Sequence, residues 1–405
     1  VRAKDNPVEF RKALGLFDSV MIVVGIMVGS GIFIVSAEIS RQVGSPTWLL
    51  VVWVATGLLT VTGALSYGEL AAMMPQAGGM YVYLREAFSP LWGFLYGWTL
   101  LTVIQTGTIA AVGIAFTRFS GVVFPAIAEN HYLVAPVHLR AGYAVSLSTA
   151  QALAIGVIIL ICLINNYGVE WGKIVQNVFT VAKLTGMAAL LALGAVAFAL
   201  RPAVWRANFS GAWRPHNFVS IGSVSAATAV GMFVAVCVSQ TGSLFSADSW
   251  HDITFVAGEV RNPKRNLPLA LGLGTGLVIV LYLLCNLCYL AVLSLGAIQT
   301  APGDRVATLV VQQVLPGAGK VAMAVLIMVS TFGTINALTL AGARACYAMA
   351  QDGLFFRKAG TLNRYRVPGW ALGMQCLWSV LLVLPGPTMQ PPACMAICTA
   401  TCWTM

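Results

Sequence analysis

Apolar residues run along this chain in long blocks separated by short polar ones. Blocks long enough to cross about 30 Å of hydrocarbon fall at 17–43, 46–74, 89–119, 148–166, 171–199, 221–258, 267–295, 318–352 and 368–385. The pattern predicts nine membrane-spanning helices, with connections too short for a separate soluble domain. Two of the blocks are interrupted. The first carries Gly25-Ile26-Met27-Val28-Gly29-Ser30-Gly31-Ile32-Phe33 at its middle. Glycine weakens a helix because it gains the most conformational freedom on leaving it. Bare backbone at bilayer depth is tolerated only where it lines a protein cavity. A break here frees amide N–H groups that can hold an anion. Small residues at this spacing also suit close helix packing, and the segment alone leaves both readings open.

The sixth block is too long and too polar for an ordinary lipid-facing helix. It reads Ser239-Gln240-Thr241-Gly242-Ser243-Leu244-Phe245-Ser246-Ala247-Asp248-Ser249-Trp250-His251-Asp252 before Val256-Ala257-Gly258-Glu259. An ionisable residue inside a span points to function, although Asp248 could equally cap a second half-helix. Interrupted helices at the first and sixth positions, in two halves of five spans, point to the binding site of an inverted-repeat transporter. Half-helix N-termini attract anions, and the unpaired carbonyls at the break accept from an ammonium. A zwitterionic α-amino acid carries both groups.

Composition sharpens the class. Hydrophobic residues make up 59% and charged ones 9% of the 405 residues, against about 25% charged in soluble domains. The net charge of +10 follows membrane topology and argues no nucleic-acid partner. With the N-terminus in the cytoplasm, basic residues divide fourteen inside (Arg2, Lys4, Arg11, Lys12, Arg85, Lys173, Arg261, Lys264, Arg265, Arg344, Arg357, Lys358, Arg364, Arg366) against eight outside, the expected bias. Lys183 stands apart in mid-span, about 18 Å into its helix at 1.5 Å per residue. Snorkelling from that depth is hard, so a functional pairing is the stronger reading. The charged start predicts no cleavable signal peptide. The cysteines within the spans behave as small hydrophobes, and no His or Cys spacing suggests a metal. Neither a cofactor nor a catalytic residue is expected.

Residues 387–405 change character, with Cys394, Cys398 and Cys402 behind Pro391-Pro392. Shifted by two bases, their back-translation permits a loop entering a further helix. The expectation is a single transmembrane domain over 1–386, truncated after its ninth helix, followed by a frame-shifted tail.

The chain resembles the amino acid–polyamine–organocation permeases, and within them the bacterial L-type amino acid transporter branch. The resemblance rests on ordered motifs across about 17–370. They are Gly29-Ser30-Gly31-Ile32-Phe33, Tyr67-Gly68-Glu69-Leu70, Pro75-Gln76-Ala77-Gly78-Gly79-Met80-Tyr81-Val82-Tyr83, Val256-Ala257-Gly258-Glu259, Asn262-Pro263-Lys264-Arg265-Asn266-Leu267-Pro268, and Arg344 with Tyr347-Ala348-Met349-Ala350 and Asp352-Gly353. It implies an all-α integral membrane protein with a LeuT-like inverted-repeat fold, helices 1 and 6 broken. It implies sodium-independent exchange of L-amino acids by alternating access. Ser30 and Gly31 would hold the substrate carboxylate, with Gly29 beside them in the binding site. The carbonyls of Met27, Phe245 and Asp248 would hold its amino group, with Ser246 and Ala247 as the unwound stretch. Phe245 would also gate the site, unless it simply packs in the core. Lys183 would couple helix 5 to the unwound helix 1. An acidic Asp248 raises cationic substrates as a possibility. The loop after span three, 119–148, has no cysteine, so no disulfide-linked second subunit is expected. The setting implied is a bacterial inner membrane.

Other classes fit less well. A channel needs a continuous polar pore, whereas the polar residues here cluster at one depth. A proton-coupled amino-acid or polyamine carrier stays open. An intramembrane enzyme would need a nucleophile and base. His251 beside Asp252 is the nearest pair, and neighbours on an α-helix do not face each other. The Gly-rich 76–83 loop lacks the Lys-Ser/Thr ending of a phosphate loop and reads as a re-entrant loop packed under the carrier.

Overall fold

A computed structural model of the chain describes residues 10–140, 143–216, 218–219 and 226–386. The N-terminal charges Arg2, Lys4, Asp5 and Glu9, and the tail with its three cysteines, lie outside the described residues. Helix dominates. The first span is α1 (Leu16–Met27), a 3-10 turn (Gly31–Phe33) and α2 (Val35–Val43). Then follow α3 (Pro46–Met73), the short α4 (Met80–Ala87), α5 (Pro90–Thr99) and α6 (Gln105–Val123). The last two join through a π-helical turn, Leu100–Ile104, into one span. Next come α7 (Thr149–Asn166), α8 (Val169–Leu200), α9 (Pro202–Phe209) and α10 (Ala229–Ser246). A ten-residue 3-10 helix, Trp250–Glu259, completes the sixth span. The chain continues as α11 (Pro263–Val292), α12 (Leu295–Gln299), α13 (Val306–Val314), α14 (Gly319–Gln351) and α15 (Gly369–Val383).

Seven helical segments are long and apolar enough to cross a membrane, and Leu16–Met27 and Gly369–Val383 are shorter apolar helices. The protein is an integral membrane protein. One element departs from an all-helical reading. Tyr132–Arg140 (β1) and Tyr143–Ser148 (β2) form an antiparallel pair, to which Pro385–Gly386 (β3) adds at Val145 and Ala144.

Local chemistry explains the boundaries. Gly44 ends α2 in the left-handed region (φ 59°), its N–H returning to the Ser40 carbonyl, the usual glycine stop. Ser45 then caps α3 by accepting from Trp48 N–H, with Pro46 at the first helical position, where no N–H is needed. Ser148 and Gln151 form a reciprocal capping box at α7. Asn262 and Pro263 open α11.

α14 is the central post, buried along most of its length against α6, α8 and the broken helices. A polar ladder fixes it to the scaffold: Asn336 Nδ2 donates to the Gly172 carbonyl and Gln176 Oε1, both at 3.0 Å, while Asn165 Nδ2 donates to Asn336 Oδ1 at 2.9 Å. Gly68 of α3 lies against Pro268 of α11, 3.2 Å from where a Cβ would sit, which accounts for the glycine in one motif and the proline in another. The Gly-rich loop packs beneath the bundle: Gly78 N–H donates to the Phe255 carbonyl (3.1 Å), and Tyr81 Oη donates to Asp352 Oδ2 at 2.7 Å beside Arg85. Burial first, and that bond second, raise the Tyr81 hydroxyl above the ordinary tyrosine range.

Candidate functional site

The two helix breaks meet. α1 ends at Met27, and residues 28–30 leave helical geometry before the 3-10 turn. α10 ends at Ser246, and the chain resumes at Trp250 after Ser249 takes φ 67°. The unwound stretch therefore begins at Ala247 and not at Ser246. The Ser246 hydroxyl instead donates back to the Gly242 carbonyl (2.9 Å) and holds the last helical turn. The contact between the breaks is close: a Cβ on Gly31 would lie 2.4 Å from Ser246 Oγ. Only glycine lets the two backbones approach this far. A Cβ on Gly29 would meet nothing within 4 Å, so the backbone there fronts open space.

At the first break, no described group accepts from the N–H of Ser30 or Gly31. At the second, no described group donates to the carbonyls of Phe245 or Asp248. Free donors at one break and free acceptors at the other thus belong to two segments that touch where Gly31 meets Ser246. The Met27 carbonyl is different. It already accepts from Gly29 N–H (2.8 Å) and lies 2.7 Å from Tyr282 Oη. It is thus less open to an ammonium than the carbonyls of Phe245 and Asp248, since one partner is fixed and the Tyr282 proton competes for the other lone pair. The same Tyr282 hydroxyl is 3.0 Å from the Ser246 carbonyl, so one buried phenol on α11 staples the two breaks.

The Lys183 side chain is 1% exposed. Its ammonium donates to the Gly25 carbonyl, to the Val28 carbonyl at 2.9 Å and to Thr334 Oγ1 at 3.1 Å. Ser330 Oγ donates to the same Val28 carbonyl, also at 2.9 Å. Unpaired carbonyls at the end of α1 are the negative pole of the half-helix, and a buried cation there satisfies both sides.

Asp248 makes no capping bond. Ser249 occupies the cap position without a side-chain bond of its own, and the Asp248 carboxylate is 3.9 Å from His251 Nδ1. His251 Nε2 lies 3.4 Å from Asp252 Oδ1, and Gln105 Nε2 approaches Asp252 Oδ2 at 3.5 Å. Neighbours 251 and 252 therefore do meet, against the helical expectation, although 3-10 winding by itself aligns i with i+3 and not with i+1. The imidazole sits between two carboxylates, ringed by Tyr67, Trp250 and Phe255. No nucleophile joins it among the described hydrogen bonds. Phe245 is half-exposed beside the break.

Arg344 counts by sequence with the basic residues on the cytoplasmic side; its guanidinium is fully buried in α14, forked onto Glu259 at 2.9 and 3.3 Å and donating to the Leu340 carbonyl. The same end of the bundle is sealed by residue 14, whose N–H donates to the Glu259 carbonyl and whose carbonyl accepts from Arg261 N–H. Phe10 packs on Tyr347 at 4.7 Å. Sequence reasoning missed Tyr282 and the Glu259–Arg344 pair. The available signals were two phenols, Tyr282 and Tyr289, in one apolar helix and opposite charges, Glu259 and Arg344, at the ends of two spans.

Residues 14–389 match the family model for amino acid permeases. The chain belongs to the amino acid permease family. It is 30% identical over 383 residues to the b(0,+)-type amino acid transporter 1 of Rattus norvegicus, covering 93% of this chain and 70% of that protein. It is 26% identical over 377 residues to the serine/threonine exchanger SteT of Bacillus subtilis (strain 168), covering 92% and 77%. It is 27% identical over 379 residues to the large neutral amino acids transporter small subunit 2 of Mus musculus, covering 93% and 65%. These relatives are amino acid transporters rather than enzymes. Among the described residues, no group of three His, Cys, Asp or Glu side chains is placed to hold a metal.

Proposed function

We propose that this permease exchanges L-amino acids across a bacterial inner membrane, independently of sodium, by alternating access within a LeuT-like inverted-repeat fold. One observation carries the reading: unclaimed N–H groups at Ser30 and Gly31 and unclaimed carbonyls at Phe245 and Asp248 sit on two helix breaks that meet at Gly31 and Ser246. That is the charge pattern of an amino-acid zwitterion. In this reading Gly29 gives the carboxylate room, Ala247 keeps the second break open, and Phe245 closes over the bound substrate. Met27 contributes shape through its staple to Tyr282. Lys183 supplies a fixed positive charge at the first break, which removes the need for sodium there. Its N-terminus lies in the cytoplasm, and no disulfide-linked subunit takes part. A relative named as an exchanger supports the exchange mode.

Gly31→Val is the direct test. Its side chain would collide with Ser246 and force the breaks apart, so binding and exchange should fall at least tenfold while the protein still folds. An amino amide that binds as tightly as the free acid would remove the carboxylate site.

The proposal extends to charge on the substrate. Asp248, next to the break and partly accessible, is placed to meet a cationic side chain. Asp248→Asn should weaken arginine or lysine far more than alanine, by about 1.5–3 kcal/mol for one charge-assisted bond. Equal losses for cationic and neutral substrates in competition binding would leave Asp248 a structural residue. A second reading, proton-coupled uptake, is favoured by His251 standing between Asp248 and Asp252. It predicts that a pH gradient alone drives accumulation, which a pure exchanger does not do.

A further inference from the structure

We propose that a phospholipid with an anionic headgroup binds at the end of the bundle that carries residue 11, its phosphate against Arg364 and Arg366 and one acyl chain between α7 and α15. A cavity of about 500 Å³ opens there, walled by the loop joining α7 to α8, the loop before α15, and Arg11. Three arginines face it with one carboxylate, Glu170. Arg11 pairs with that carboxylate at 2.9 Å. Arg364 and Arg366 meet no carboxylate among the described residues; Arg364 lies over the Tyr365 ring, 4.6 Å from its centroid. The cavity therefore has an excess of two positive charges and no internal anion to balance them.

The walls are held in place. Asn363 donates to the Asn166 carbonyl at the end of α7 and accepts from the N–H groups of Tyr365 and Val367. Tyr167 packs on Tyr365 at 5.5 Å. Three spans begin or end at this level: α7 at Asn166, α8 at Val169 and α15 at Gly369. Exposed Tyr167, Trp171 and Trp370 mark it as the membrane–water boundary.

An apolar groove starts close by, at Asn166, which precedes Tyr167 of the basic cavity and accepts from Asn363, and at Gly369. This second groove, about 320 Å³, is lined on α7 by Ile159 and Leu163 and on α15 by Leu372, Leu377 and Val380. From Gly369 to Val380 it runs about 16 Å at 1.5 Å per residue. Gly373 leaves it open, since a Cβ there would meet nothing within 4 Å. A basic pocket at the headgroup level beside a lipid-facing furrow fits a phospholipid that carries net negative charge. A free phosphate shares the headgroup chemistry but would leave the furrow unused.

The test compares retention of phosphatidylglycerol and phosphatidylcholine by the purified full chain in detergent, read by native mass spectrometry, and needs no transport activity. Phosphatidylglycerol should be retained about tenfold better. R364Q/R366Q should erase that preference. Gly373→Leu should reduce retention of phosphatidylglycerol while leaving all charges in place. Inorganic phosphate at millimolar concentration should not displace the lipid. Equal retention of both lipids by the unaltered chain overturns the proposal, as does a preference that survives R364Q/R366Q. Displacement by phosphate assigns the cavity to a free anion and overturns the lipid. If R364Q/R366Q does not fold, the wild-type preference and Gly373→Leu still decide.

Discussion

Lys183→Ala should lower exchange in proteoliposomes on the order of a hundredfold, with a smaller effect on folding. The ammonium holds two carbonyls at the end of α1 and the Thr334 hydroxyl on α14. Hydrogen bonds to a charged group contribute about 1.5–3 kcal/mol each, and about 2.7 kcal/mol is a hundredfold in rate. Alanine also leaves a gap where Lys183 packs against Gly333. Ser330 still donates to the Val28 carbonyl, so the break keeps one partner and the helix does not unravel. The loss should therefore fall on substrate binding and the conformational cycle more than on stability. The unaltered protein should work equally well when choline replaces sodium. Two results would count against the tie: wild-type exchange by Lys183→Ala, or a steep sodium requirement in the unaltered protein.

The parts of this site that could be read from sequence are those whose chemistry is local. The Gly29-Ser30-Gly31 break announces itself because two glycines, the poorest helix formers after proline, stand two residues apart in mid-span. The sixth-span break was legible in place but one residue out, because Ser246 bonds backward to Gly242 and stays helical, a choice open to any serine in a helix. The 3-10 winding of Trp250–Glu259 was not legible. It changes which side chains share a face, aligning i with i+3, and the 3.4 Å approach of His251 to Asp252 was equally hidden. The hairpin at Tyr132–Ser148 was hidden by Pro136 within its first strand, since proline demotes a strand reading. Tyr282 and the Met27 carbonyl are 255 residues apart, and only the folded bundle brings them together. Lys183 was visible as an anomaly, a charge too deep to snorkel, but its carbonyl partners needed the structure.

Glu259→Ala and Arg344→Ala should each destabilise the protein by about 3–5 kcal/mol, the cost of leaving one partner of a buried ion pair alone. Both side chains are within 1% of full burial. Their attraction does not make the pair a large net source of stability, because removing both charges from water is itself expensive. The double replacement Glu259→Gln/Arg344→Met should therefore be far less harmful than the sum of the single ones. Thermal unfolding in detergent, arranged as a double-mutant cycle, measures this coupling. Additive losses would show that each residue acts through other neighbours. The location gives the coupling a functional meaning. Glu259 ends the second half of the broken sixth span, and Arg344 belongs to the central post α14. Residue 14 pairs with the backbone on either side of Val260, so the N-terminal segment closes over the same point. Opening that end requires the Glu259 segment to leave α14 or to carry Arg344 with it. A pair this well buried favours the closed arrangement, and weakening it should shift the protein toward opening at this end. Cysteine accessibility at residue 14, in a Leu14→Cys background with Glu259→Gln, should rise above the same background with Glu259 intact.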